Sequence, residues 1–185
     1  MSGNSRSGIG SARDSGGGAL GLHGGGERRL LNRHNAPMTP AELLDFMRHH
    51  SLAVQASVSG TAAPQAAVVG FVVTDRFELF FDTLETTRKV WNLRRNPQIA
   101  FVIGGQTSGD ERTVQYEGLA DEPAGAELTR LKELYFKAFP DGPERQRWAG
   151  ITYVRARPTW IRYSDFNRTP PQIVEFTAGE LGAAG

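Results

Sequence analysis

The chain has 185 residues and no cysteine. That excludes a disulfide framework, a thiolate metal site and a cysteine nucleophile. Redox chemistry, if present, needs a bound group. Histidine is scarce: positions 23, 34, 49 and 50 hold all four, ahead of the strand-rich part of the sequence. None is placed there as a general base or metal ligand. No apolar run approaches the ~20 residues of a membrane-spanning helix. The opening Met1-Ser-Gly-Asn-Ser-Arg lacks the apolar stretch of a secretory signal, so a cytoplasmic protein with no membrane partner is expected. There is no Gly-x-Ser-x-Gly turn, and no glycine fingerprint joins a strand to a helix.

Charge of either sign is also in short supply, with a net of +1. Residues 1–37 carry +3, leaving −2 for the rest, which is not the footprint of a nucleic-acid binder. Glycine, by contrast, is plentiful and uneven. Ten of the 22 fall within residues 1–26. The composition therefore describes a disordered Gly/Ser/Arg-rich tail over 1–37, a domain over 38–177 and a flexible C-terminus over 178–185. Arg28-Arg29, His23 and His34 could form a contact arm, but the composition favours a plain extension.

Ordered structure is expected to start at Thr39-Pro40-Ala41-Glu42, which carries the cap, first-turn proline and glutamate of a capping box. Leu43, Leu44 and Met47 continue a helical stripe to about His50. His49 and His50 are adjacent and so cannot face one ligand from a helix. Strands are expected at 52–58, 66–74 (apolar enough to be buried on both faces), 77–82, 98–104, 112–121, 151–157, 159–165 and 172–176, with helices at 86–96 and 123–138. Most strands follow one another across hairpin-sized turns. That favours a mainly β (α+β) fold, an antiparallel barrel of six to seven strands with peripheral helices.

The most informative stretch is Phe80 to Pro97: a strand end, a hydroxyl-rich turn, and a helix opening on Arg88-Lys89. A helix N-terminus already attracts anions. Cations in the first turn oppose the helix dipole, and a bound phosphate would justify them. A solvated basic face is the alternative, and suits Arg94-Arg95. This segment resembles the phosphate-binding element of the pyridoxamine 5′-phosphate oxidase-like family, the FMN-binding split β-barrels. The matching residues are Phe81, Thr83, Thr87-Arg88-Lys89, Asn92-Leu93 and Arg95-Asn96-Pro97, with Val114 to Glu122 supplying a further pattern. The resemblance runs over about 39–176.

The resemblance implies that Arg88 and Lys89 hold the FMN phosphate, with Thr87 and Thr83 donating hydrogen bonds. It implies that Val68, Val69 and Gly70 pass the flavin edge, and that Gln115 reaches it from a second subunit across a homodimer interface. Trp160 and Arg162, two apart and so on one strand face, could cover a flavin or hold an anionic substrate, or else lie on a paired exterior with Asp165 or Glu175. The activity implied is hydride transfer between a small molecule and FMN. Deazaflavin is the alternative cofactor. Haem fits less well, since the barrel offers no His or Cys ligand. A non-catalytic flavin-binding or sensor module is the alternative class. The oxidases themselves carry an Arg where this chain has Gln65, Ala66 and Ala67, so one phosphate contact is missing, which keeps deazaflavin open. Their C-terminal segment with its substrate-binding Arg and His is not recognisable in Arg155 to Phe166, which argues against vitamin B6 as the substrate.

Overall fold

The computed structural model describes residues 37–105 and 107–182. The tail expected over 1–37 therefore lies, apart from Pro37, outside the described residues. Helix α1 (Pro40–Arg48) begins as its sequence demands. The Thr39 backbone N–H donates to Glu42 Oε2 at 2.8 Å, and Thr39 Oγ1 accepts from the Glu42 N–H at 3.3 Å. Leu43, Phe46 and Met47 form its buried stripe.

Eight strands follow among the described residues: β1 (Leu52–Val58), β2 (Pro64–Gly70), β3 (Val72–Val73), β4 (Leu79–Leu84), β5 (Gln98–Gly104), β6 (Arg112–Asp121), β7 (Ile151–Asp165) and β8 (Gln172–Thr177). Every pairing is antiparallel, in the order β2-β1-β5-β6-β7-β4-β3, with β8 also on β7. Helix α2 (Arg88–Arg95) precedes β5. Helices α3 (Gly125–Ala138) and α4 (Gly142–Arg145) lie between β6 and β7, and α5 (Ala178–Gly182) ends the described chain. The sheet curls around a core of Phe81, Phe101, Ile103, Val114, Tyr116 and Ile161, closed at one side by α1. The barrel is split. The ladder does not join β2 to β4, although the two strands approach each other.

Three expectations need correction. Residues 66–74 are not one strand buried on both faces. The chain breaks at Phe71, whose N–H bonds to Ser51 O at 3.0 Å, and β2 is an edge strand with Pro64, Ala66 and Val68 exposed. An apolar run cannot by itself distinguish an edge that awaits a cover from a central strand. Burial on both faces belongs instead to β4: Phe81 points into the barrel, while Phe80 meets Leu131, Tyr135 and Tyr153 beneath α3. Residues 151–165 are a single strand through Pro158, which sits at a register shift opposite Glu117/Gly118. Gly118 allows that bulge, because a Cβ there would lie 2.4 Å from Arg157 O. Residues 178–182, expected to be flexible, form α5 and bury Leu181 in the core.

An ionic cluster ties β6, β7 and α3 together. The Arg155 side chain, 11% exposed, donates to Asp121 at 2.7 Å, Glu127 at 2.9 Å and Glu78 at 3.3 Å. No described helix is long and apolar enough to cross a membrane.

Candidate functional site

The opening between β2 and β4 is occupied by the start of α2. Thr87 is its N-cap, but the Thr87 side chain makes no cap bond; its Oγ1 lies 3.3 Å from Thr83 Oγ1 instead. Thr83, one strand turn past Phe81, also accepts from Lys89 Nζ at 3.4 Å. The first turn of α2 has no acidic residue. Among the described residues no carboxylate pairs with Arg88 or Lys89, whereas Arg94 is bound by Glu122 at 2.6 Å and 2.8 Å. Partial burial pushes the Lys89 ammonium below its ordinary value. The helix end thus holds free N–H groups, two hydroxyls and two unpaired cations.

Thr86, Thr87, Arg88 and Lys89 line a cleft of about 640 Å³, together with Gln55, Ser57 and the Pro64–Ala67 segment of β2, with Thr83 behind Thr87 and Lys89. That size suits a mononucleotide-scale ligand. Asn92, on the buried side of α2, anchors the helix across the cleft: its Nδ2 donates to Gln65 Oε1 at 2.8 Å and Ser57 Oγ at 3.1 Å. The lining contains no carboxylate, histidine, tyrosine or methionine. Gln55, fully buried on the inward face of β1, has neither its Oε1 nor its Nε2 hydrogen-bonded among the described residues. Tyr153 Oη and Arg162 Nε are also buried without partners, but neither residue lines this cleft.

The residues singled out from the sequence separate into three groups. Thr83, Thr87, Arg88 and Lys89 come together at the helix start. Phe81 does not join them. It is fully buried, edge-on to Phe101 at 6.0 Å, and belongs to the core. Val69 likewise points inward and is buried, and Gly70 packs on the Phe139 ring. Val68 is 61% exposed on the outer face.

Gln115, Trp160 and Arg162 form a separate outer patch. Gln115 stands opposite Arg162, which stands opposite Glu175, and Trp160 Nε1 donates to Glu175 at 3.3 Å. Arg162 makes no ion pair with Asp165 or Glu175 among the described residues; Asp165 is taken by Arg168 at 2.9 Å. Thr83 pairs with Thr152 of β7, so Arg162 lies ten residues farther along that strand. At ~3.3 Å per residue that is about 30 Å of chain. The patch and the cleft are therefore different places on one subunit.

Sequence reasoning missed Gln55, Ser57 and Gln65. The signal was available at the inward positions of β1, where Ala53, Gln55 and Ser57 replace the expected bulky apolar residues.

A curled antiparallel sheet, open at one seam and carrying a cationic helix N-terminus there, defines a split β-barrel. The chain belongs to the pyridoxamine 5′-phosphate oxidase family, whose model matches residues 39–165. Its fold is similar to that of a heme-binding protein from Mycobacterium smegmatis, with a TM-score of 0.69 and 15% identity over 80% of this chain and 62% of the other. The chain thus spans less than two thirds of that protein's length. HutZ, the heme storage protein of Vibrio cholerae, gives 0.58 and 14% identity over 66% of this chain and 91% of HutZ. General Stress Protein 26 of Bacillus anthracis gives 0.53 and 19% over 72% and 98%. No curated protein sequence matches the chain.

Proposed function

We propose that the protein binds FMN in the cleft at the start of α2 and works as a homodimeric oxidoreductase on a small molecule. The observation that carries this reading is the Thr83–Thr87–Arg88–Lys89 cradle, whose two cations have no carboxylate partner. A phosphate supplies the missing charge and accepts from the free N–H groups of the first turn. FMN, when bound, supplies hydride chemistry at the flavin ring. The protein's own part is to hold and orient. Arg88 and Lys89 fix the phosphate, and Asn92 keeps α2 in register with β1 and β2. The cleft lining holds no carboxylate or histidine, and Lys89 is assigned to the phosphate.

Haem fits this cleft poorly, because the lining offers no histidine, cysteine, methionine or tyrosine as an axial ligand. The heme-binding relatives share the fold at 15% identity or less. Deazaflavin, which also carries a phosphate, would use the same cradle.

The dimer reading rests on the outer sheet face. Val68, Val54 and Val102 form one cross-strand row that continues to Gln115, Arg162 and Glu175, and Ala66, Ala56 and Ala100 form the next. Val68, Val102, Leu52 and Leu119 are exposed on the strands of this face. Such a contiguous apolar face marks an association site.

The test is the colour and contents of the purified protein. A yellow protein that releases FMN on denaturation, identified by mass, supports the reading. Release of a deazaflavin or haem, or failure to take up added FMN, overturns it. Turnover of NAD(P)H by the holoprotein separates an enzyme from a binding module.

A further inference from the structure

Gln55 sits in the middle of β1, flanked in the sheet by Ala67 of β2 and Phe101 of β5. Its side chain is inaccessible to solvent, it lines the cleft beside Thr87, Arg88 and Lys89, and both ends of its carboxamide lack a partner among the described residues. The neighbouring polar groups do not reach it: Asn92 draws on Ser57 Oγ and Gln65 Oε1, and neither residue bonds to the Gln55 amide. A buried amide with neither hydrogen bond made is unusual enough to require an explanation.

The chemistry of the group narrows what could complete it. A carboxamide presents one acceptor and one N–H donor side by side. A phosphate or carboxylate only accepts, and so would leave Oε1 unpaired. An ammonium only donates, and would leave Nε2 unpaired. A cyclic imide or lactam edge, with N–H next to C=O, satisfies both atoms at once, and does so for either orientation of the amide. Building on the flavin reading above, we propose that Gln55 recognises the imide edge of a phosphorylated heterocycle whose phosphate occupies the Thr87–Arg88–Lys89 cradle. In FMN that edge belongs to the pyrimidine ring. Haem has no such edge, so Gln55 selects against it, while flavin and deazaflavin share it. Substrate or cofactor lacking the edge would leave the amide unpaired, the situation in which polar sites discriminate most strongly.

The test uses the full chain and two probes: FMN, and ribitol 5-phosphate, which keeps the phosphate arm and lacks the ring. Gln55→Leu and Gln55→Met preserve the volume of the side chain. Both variants should weaken FMN binding about 10- to 100-fold, as expected for two lost hydrogen bonds, and leave ribitol 5-phosphate affinity unchanged. Their ligand-free melting temperatures should equal or exceed the wild type, because an unpaired buried amide has been removed. Two results overturn the inference: FMN affinity within twofold of wild type in either folded variant, or equal weakening of both probes. Wild-type protein that binds ribitol 5-phosphate but not FMN refutes the flavin reading itself, and this inference with it. Arg88→Ala with Lys89→Ala should weaken both probes together.

Discussion

Lys89→Met tests the cradle most directly, because it should move stability and binding in opposite directions. Methionine keeps the length and volume of the lysine stem and removes only the charge. In the structure Lys89 Nζ has one neutral partner, Thr83 Oγ1 at 3.4 Å, and burial lowers its proton affinity. A lysine whose folded-state proton affinity is depressed binds protons better in the unfolded chain. Stability in the ligand-free protein therefore rises as pH climbs from the lowered folded value to the ordinary value of 10.5. Below that window the charged lysine is a net cost, so Lys89→Met should raise the ligand-free melting temperature at neutral pH. Binding should go the other way. A charge-assisted hydrogen bond contributes about 1.5–3 kcal/mol, so the substitution should weaken FMN by about 10- to 150-fold. Wild-type affinity should also decline at alkaline pH earlier than an unperturbed lysine would allow, and fall with added salt. The assays are thermal melts without ligand and fluorescence titration with FMN across pH. A variant that is less stable without ligand, or that binds FMN as the wild type does, would refute the assignment of Lys89 as an unpaired phosphate ligand.

Three further outcomes follow from the same geometry. Arg155→Met removes the cation shared by Glu78, Asp121 and Glu127, while Arg130 still faces Glu78 and Glu127 and Arg157 still faces Asp121, and should cost about 1–3 kcal/mol in urea unfolding; a loss under about 0.5 kcal/mol would mean that this cluster does not hold α3 to the barrel. Val102→Glu puts a charge in the centre of the apolar outer face and should give monomers by light scattering together with reduced FMN uptake, while an intact dimer would place the interface elsewhere. Arg112 holds the Asp110 carboxyl down to about 2, so the contribution of that pair is complete above pH 3.8 and lost as pH falls toward 2. Because Arg112 is 45% exposed, the effect should be no more than about 1 kcal/mol, read as the difference between wild type and Arg112→Met in acid unfolding.

How much was legible in the sequence varies by residue. Thr39-Pro40-Ala41-Glu42 announced the first helix because capping is a contact between residues three apart. The cationic start of α2 was legible for a related reason: Thr87, Arg88 and Lys89 are neighbours in the chain, and a helix N-terminus acts over a single turn. Phe81 shares a face of β4 with Thr83, two residues on, but lies deeper in the barrel against Phe101, and spacing along a strand does not tell where the core ends and the cleft begins. Residues 66–74 were misread because an exposed edge and a buried strand can carry the same apolar letters when a partner is to cover the edge.

The sequence by itself determined the antiparallel barrel class, the lack of thiol chemistry and the cationic helix start, since each rests on composition or on short-range periodicity. Only the tertiary structure decided that Gln55, thirty-odd residues before the cradle, shares its cleft, and that Trp160 and Arg162 do not. Those facts depend on which strands pair and how the sheet curls, and the pairing energy is summed over contacts distant along the chain. A polar residue in a strand becomes informative only when the fold shows that no other described residue reaches it.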